Sequence, residues 1–453
     1  MNKKVLFTVL VFALALLVFN IYTTKVIFTD VAQYLNVGKE FADLAVSKVR
    51  NTPGYAYGFI LGEVLKFSPT LLAAKLFNAF WLVLDGILLY FITRRWRSLI
   101  LWMFSPLVWY MGSWISPLMP ASFLLLFAYY NIKQFEKTNK KKYLAFSGLA
   151  LGLISTLWWA GIYLSAFFVL SFLSFRKLLM TIFFGIFFSL TFSLRILMDY
   201  SLFKLPFYSS LKGFGSNIAY GAGLAGAERA LTSTLGELAL LVVIISPLLF
   251  RFYRVNPIEN MKEYSFLFLT SALFIANLQL RYFIVIAPIM FLVLSDSLTK
   301  RDIKAHILLS LILIFFLIQP YFGSTEDYTI TQDLEKLTAD FPDQTFIVGT
   351  ENSPEGYADM LSTLYWGNKV KEFVEYTEYK LSLTNESVFR SYHLSSKPEI
   401  NDLRKIDLTL RYLRTDDRDY KYVKLLVIVG NKPQPEGFRL IKEYEILKVY
   451  QRR

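Results

Sequence analysis

Long apolar runs separated by short basic clusters dominate the first 321 residues of this 453-residue chain. A helix that crosses a bilayer core of about 30 Å takes roughly 17 to 25 residues, and most of the runs reach that length. The first run follows the basic start MNKK, and no small-residue cleavage site comes after it. We therefore interpret it as a retained first span with its N-terminus in the cytoplasm.

The basic clusters predict which ends of the helices face the cytoplasm, because cytoplasmic loops carry an excess of Lys and Arg. The clusters recur at intervals that leave room for one helical hairpin each, and the longest interval also holds an outer loop. We predict about eleven spans, which places the C-terminus outside. The spans fall near 5–24, 70–93, 98–114, 117–133, 143–158, 160–175, 178–196, 231–250, 264–279, 281–298 and 305–321.

The pattern changes near residue 322, where short polar and apolar stretches begin to alternate. Runs rich in β-branched and aromatic residues predict strands, and runs with helical periodicity predict helices. The strand-like runs are 345–350, 424–430 and 444–451, and the helical runs are 330–341 and 355–367. We predict a transmembrane domain (1–321) with large outer loops at 25–69 and 197–230, followed by a small extracytoplasmic α/β domain (322–453).

Composition supports a polytopic α-helical membrane protein. The chain is 55% hydrophobic and 17% aromatic, which is too apolar for a soluble globular protein of this size. It has no cysteine, so disulfides and thiolate metal sites are excluded, and its two histidines, His306 and His393, are far apart in sequence. The net charge of +13 comes from the membrane part and has no accompanying arginine-aromatic groove, so we do not expect nucleic-acid binding.

Several segments occur in a recognisable order. FTDVAQY places Asp30 and Tyr34 after the first span, NTPGYAYG and an apolar helix follow, and LRYFIVIAP supplies Arg281, Tyr282 and Pro288 near the end of the membrane part. In this order they resemble the GT-C superfamily of integral-membrane glycosyltransferases, including its protein mannosyltransferase-like members. That family transfers a sugar from a polyprenyl-phosphate or dolichyl-phosphate lipid outside the cytoplasm.

The resemblance implies inverting sugar transfer with Asp30 as the general base. A lipid-linked sugar phosphate already has a good leaving group, so the remaining need is a group that takes the proton of the attacking hydroxyl. The alternative is that Asp30 caps a short surface helix, and the two roles do not exclude each other. Val31 stands where many family members have a second acidic residue. The resemblance therefore leaves the use of a divalent metal open and implies no certain cofactor.

The donor phosphate requires cations on the outer side of the membrane. Arginine can bind phosphate bidentately, whereas lysine acts as a point charge. The candidates for phosphate binding are Arg281, Arg229, Lys204 and Lys212, and the candidates for binding or orienting the acceptor are Tyr34, Asp199 and Tyr282. Trp114, Trp158 and Trp159 are expected near the outer interface, where they could border a lipid or sugar groove.

Asp85 is the one carboxylate that the predicted spans place near mid-membrane, where ionisable groups are costly and often functional. We favour a helix-packing role for it. The partners implied are a polyprenyl-phosphate-linked sugar and a lipid, glycan or protein acceptor, at a multi-pass protein of the plasma membrane. Two other classes stay open: a transporter or lipid flippase, and a non-catalytic membrane assembly subunit.

Overall fold

A computed structural model supplies the structure of the protein. It describes residues 3–23, 29–42, 55–173, 178–203, 206–210, 260–277, 280–295, 298–318, 329, 332–333, 336–337, 339–341, 346–349, 425–429, 434 and 437–453. The predicted span at 231–250 and the predicted helix at 355–367 lie outside these residues. The total number of spans therefore stays a prediction.

The described part of the chain is mainly helical. Its helices are α1 (Lys3–Tyr22), α2 (Thr29–Phe41), α3 (Tyr55–Phe67), α4 (Leu71–Thr93), α5 (Trp96–Met103), α6 (Pro106–Met111), α7 (Leu118–Thr138), α8 (Lys141–Leu157), α9 (Gly161–Phe172), α10 (Leu178–Phe203), α11 (Met261–Asn277), α12 (Phe283–Ser295) and α13 (Lys300–Ile318), with a 3₁₀ turn at Leu280–Tyr282. Within the described residues, three stretches are long and apolar enough to cross a membrane by themselves: Lys3–Tyr22, Leu71–Thr93 and Leu179–Ser201.

The structure corrects the predicted span at 98–114, which is two short helices, α5 and α6. Pro106 is the first residue of α6, and Ser105 before it is extended, with φ −70° and ψ 125°. Proline disfavours the helical conformation of the residue that precedes it and has no N–H to continue the helix. The apolar run therefore bends at this point.

The chain forms two compact units. The helical unit comprises Met1–Ile21, Lys75–Met198 and Ala227–Ile318, and the second unit comprises Tyr22–Ala74, Asp199–Gly226 and Gln319–Arg453. The second unit thus gathers most of the segments that the sequence analysis assigned to the outer surface. The side of the membrane on which these segments lie stays a prediction.

Close backbone contacts join α8 and α10 in the helical unit. Gly148 and Gly152 stand four residues apart on α8, and a Cβ at Gly148 would come within 2.7 Å of the carbonyl oxygen of Phe184. A Cβ at Gly152 would collide with Thr191. The Thr191 hydroxyl donates to the carbonyl of Leu149 at 3.0 Å. Small residues at this spacing let two membrane helices approach closely.

The second unit contains a pair of helices, α2 and α3, that is packed in a similar way. A Cβ at Gly58 would collide with Val37, and a Cβ at Gly62 would come within 2.7 Å of the Cβ of Phe41. The two helix backbones therefore touch, and each glycine is required by the close approach.

A four-stranded sheet in the order β1-β2-β4-β3 also belongs to the second unit. Its strands are β1 (Phe346–Gly349), β2 (Leu425–Val429), β3 (Phe438–Glu443) and β4 (Leu447–Arg452). The pair β1 and β2 is parallel, and the other pairs are antiparallel. Strands β1 and β2 lie in the runs that predicted them, and β4 begins inside the run 444–451 and ends one residue after it. The alternation in β3 is weak, because Phe438 is its one fully buried residue, and the strand was not predicted.

Asp333, in a helical segment, is hydrogen-bonded to this sheet. Its carboxylate is fully buried, and one oxygen accepts hydrogen bonds from the backbone N–H of Ile446 at 2.7 Å and of Leu447 at 3.3 Å. The turn between β3 and β4 is thereby held by a side chain more than one hundred residues earlier in the chain.

Candidate functional site

Asp30, the candidate base, is the second residue of α2. Its side chain lies outside the described residues, so its contacts are not described. A carboxylate in the first turn of a helix is favoured in its ionised form by the helix dipole, and a base must be ionised to accept a proton. The position is compatible with both roles predicted from the sequence, the cap and the base.

Tyr34 stands one helical turn after Asp30, so the two positions share a face of α2. Its half-buried ring meets the ring of Tyr57, on α3, edge to face with 5.5 Å between centroids. Tyr57 is fully buried and was not among the predicted site residues. Its place in the run PGYAYG is the signal that could have indicated it.

A buried lysine, Lys39, follows on the same helix. Its side chain is fully buried, and burial lowers its pKa from 10.5 to about 7. A buried lysine gains a proton only at a cost in free energy, so the charge of Lys39 depends on pH near neutrality. The sequence analysis did not single it out.

Asp199, the candidate for orienting the acceptor, lies near the end of α10 and is buried. Its Oδ1 accepts a hydrogen bond from the Ser209 hydroxyl at 2.6 Å, and its Oδ2 accepts one from the Ser209 N–H at 3.1 Å. The carboxylate thus fixes the turn that follows α10. Three of the predicted phosphate ligands, Lys204, Lys212 and Arg229, lie outside the described residues.

Aromatic side chains surround Arg281 in the helical unit. The guanidinium lies 5.5 Å from the ring centroid of Trp114 and 5.6 Å from that of Tyr282. Tyr282 in turn lies 5.5 Å from Trp158. Both distances to Arg281 are in the range of cation–π attraction. The turns after α6, after α8 and before α12 therefore meet, and we call this region the aromatic end of the helical unit.

Two further buried cations, which the sequence analysis missed, lie on helices that contact segments near this region, and we count them with the aromatic end. Arg195 on α10 is buried and donates to the carbonyl oxygen of Ser155 at 2.9 Å. Lys75 on α4 is fully buried, one turn before Asn78, whose side-chain oxygen accepts from the N–H of Ser116 at 3.3 Å. A lone Lys or Arg inside an apolar run is the signal that could have found them.

The other end of α7 has a different charge pattern. Glu263 on α11 is buried and accepts from the Tyr129 hydroxyl at 2.8 Å, and it pairs with Lys133 at 2.8 Å. Glu136 pairs with Lys133 at 3.5 Å and with Lys262. These side chains border a cavity of about 610 Å³ between α7, α9 and α11. We call this region the ion-pair end.

The described residues include no group of three or more His, Asp or Glu side chains that could hold a metal ion. The divalent metal that the sequence left open stays an untested possibility, because the side chain of Asp30 is not among them.

Comparison with known proteins supports the fold. No family model matches the chain, and no curated protein matches it. The crystal structure of ArnT from Cupriavidus metallidurans bound to undecaprenyl phosphate is similar over 99% of this chain and 98% of that chain, with a TM-score of 0.58 and 9% sequence identity. The chain therefore has an ArnT-like fold, in agreement with the GT-C-like fold that the resemblance implied. This fold and the apolar helices indicate a multi-pass membrane protein.

Proposed function

We propose that the protein is a membrane glycosyltransferase that moves a sugar from a polyprenyl-phosphate donor to an acceptor hydroxyl on the extracytoplasmic face. The observation that supports this most is the ArnT-like fold, because the ArnT structure contains undecaprenyl phosphate. The cations of the aromatic end add to it, since a lipid phosphate requires cationic partners.

In the proposed reaction the acceptor oxygen attacks the anomeric carbon of the donor sugar. The bond between that carbon and the phosphate oxygen breaks, and the lipid phosphate leaves with the bonding electrons. Asp30 takes the proton of the acceptor hydroxyl, and the configuration of the sugar is inverted. No covalent intermediate with the protein is required.

In the proposed site, cations bind the donor phosphate, and aromatic rings contact the sugar or the lipid. Arg281 is the first candidate for the phosphate, because a guanidinium can donate two parallel hydrogen bonds to it. Lys75 and Arg195 are added to the candidates predicted from sequence because both are buried cations at the aromatic end. Arg229, Lys204 and Lys212 keep the role proposed for them, as do Tyr34, Asp199 and Tyr282 toward the acceptor.

The decisive experiment measures transfer of radiolabelled sugar from a panel of polyprenyl-phosphate hexoses and pentoses to endogenous acceptors in membranes. Asp30→Asn is expected to lower the rate about 100-fold or more, the usual contribution of a general base. The matched control is Glu63→Gln, which removes an exposed carboxylate from α3, where it pairs with Lys66.

Three outcomes separate the hypotheses. Loss of transfer in Asp30→Asn alone supports the catalytic role, whereas wild-type rates in that variant would contradict it and favour the helix cap. Absence of transfer by the wild type with every donor in the panel would favour a transporter, a flippase or an assembly subunit.

A further inference from the structure

Three helices of the helical unit meet at a carboxyl, a hydroxyl and a backbone carbonyl. Asp85 lies in α4 and Ser122 in α7, and both are fully buried. Ile284, in α12, is also fully buried. Neither Asp85 nor Ser122 belongs to the aromatic end or the ion-pair end described above.

The carbonyl of Ile284 needs a donor from outside its own helix. Pro288 stands four residues later in α12, and a proline has no N–H to donate to the carbonyl of residue i−4. The Ser122 hydroxyl donates to the Ile284 oxygen at 3.1 Å. Ser122 thus replaces the missing backbone donor, which is how membrane helices tolerate proline.

A serine hydroxyl has a single hydrogen. When the hydrogen of Ser122 is donated to Ile284, the Ser122 oxygen can only accept a further hydrogen bond. Asp85 is the carboxyl that α4 brings to this part of α7, one turn after Trp81, whose ring lies 5.5 Å from that of Phe123, the residue after Ser122. Both carboxyl oxygens of Asp85 are buried and have no hydrogen-bond partner among the described residues.

The protonation state of Asp85 decides the direction of that contact. A carboxyl can donate only when it is protonated, whereas a carboxylate would compete with Ile284 for the Ser122 hydrogen. Among the described residues no cation interacts with Asp85. A carboxylate without a cation is costly in the bilayer interior, so the neutral acid is the favoured form.

We propose that Asp85 is a positioning residue that works as a neutral carboxylic acid, donating to Ser122 and thereby holding the Ser122 hydrogen on the Ile284 carbonyl. This relay of two hydrogen bonds, from Asp85 to Ser122 and from Ser122 to Ile284, joins α4, α7 and α12 at the second residue of α12. Since Arg281 and Tyr282 come directly before α12, the relay fixes the helix start from which they extend. This last consequence rests on the proposed function, whereas the relay itself does not.

The test compares wild type with Asp85→Asn, Asp85→Leu, Ser122→Ala and the double variant Asp85→Leu/Ser122→Ala. The asparagine amide can donate to Ser122 as the neutral acid does, whereas leucine of similar size cannot. Hydrogen exchange of the peptide that spans 280–295 is measured on protein purified in detergent. We expect faster exchange in Asp85→Leu and Ser122→Ala, near wild-type exchange in Asp85→Asn, and no additional change in the double variant, because the two residues act as one unit.

A second measurement follows binding of undecaprenyl phosphate to the same variants. The expected loss of affinity is about threefold to tenfold in Asp85→Leu and Ser122→Ala, in line with couplings between contacting residues. Thr270→Val is the matched control, because the buried Thr270 hydroxyl donates to the Phe266 carbonyl within its own helix, α11. It removes a hydroxyl without touching the relay.

Either of two results would overturn the relay. Equal damage in Asp85→Asn and Asp85→Leu would show that the ionised carboxylate is required, and additive changes in the double variant would show that the two residues act independently. If wild type does not bind undecaprenyl phosphate, the proposed function fails, and the exchange measurements still decide the relay.

Discussion

Arg281 and Arg195 at the aromatic end of the helical unit contact rings and a backbone carbonyl, whereas Lys133 and Lys262 at the ion-pair end contact carboxylates. In the first kind of contact, a neutral ring or a neutral carbonyl orients the guanidinium. The second kind matches each cation with an anion of the same protein. We infer that the ion-pair end stabilises helix packing, whereas the proposed function assigns the donor phosphate to the aromatic end.

The largest expected difference between the two ends concerns sugar transfer. Arg281→Ala is expected to lower the transfer rate about 100-fold or more, because an electrostatic partner of the departing phosphate is lost. Arg281→Lys should retain part of the activity, since lysine keeps the charge but loses the bidentate geometry. The initial rate with the labelled donor measures both.

Lys262→Ala at the ion-pair end is the matched control. Its side chain is about half exposed and pairs with Glu136. Exposed ion pairs contribute little to stability, so transfer should stay within about twofold of wild type. A loss of transfer equal to that of Arg281→Ala would contradict the different roles that we assign to the two ends.

Lys39 in the second unit sharpens the comparison by showing how burial affects the pKa of a cation. Burial lowers the pKa of Lys39 from 10.5 to about 7, so between these values the unfolded chain binds more protons than the folded protein. Stability therefore increases as pH rises through this window. Lys39→Met should flatten that dependence and raise the melting temperature at pH 7 by about 5 °C.

Thermal unfolding in detergent from pH 7 to pH 10 checks this expectation. Lys66→Met, on α3, is the control, since its side chain is well exposed and pairs with Glu63. It should leave the pH dependence of wild type unchanged. If the stability of Lys39→Met still depends steeply on pH, groups other than Lys39 cause that dependence.

The smallest effect is expected for Glu263→Gln at the ion-pair end. The variant removes the charge that faces Lys133 and keeps a hydrogen-bond acceptor for Tyr129. We expect a melting temperature lower by about 2–4 °C and an unchanged transfer rate. A large loss of transfer with normal stability would show that the ion-pair end takes part in the reaction.

The length of the apolar runs predicted several helices well, because hydropathy records the transfer of side chains from water to lipid. The orientation that the basic clusters indicate stays a prediction. The helices α1 and α4 lie within a few residues of the predicted spans. The break at Pro106 was missed, because hydropathy does not count a lost backbone N–H. The strand β3 was missed for a similar reason. It lies at the edge of the sheet and buries one residue fully, so its sequence shows little alternation of apolar and polar positions.

The candidate site was predicted in part. Arg281, Tyr282, Trp114 and Trp158 were singled out from the sequence, and the structure brings these four together. Lys75 and Arg195 were missed because a single cation hardly changes the average of an apolar run. The contact of Asp199 with Ser209 depends on the backbone path between them, which no local pattern encodes.

The glycines between α2 and α3 have a genetic consequence. Gly58 and Gly62 have no side chain with which to touch a substrate, yet any larger residue there would push α3 away from α2, the helix that begins beside Asp30. A screen for inactive variants would therefore recover these glycines together with the acid. Variants at these glycines would show how α2 is held in place, in addition to where the chemistry occurs.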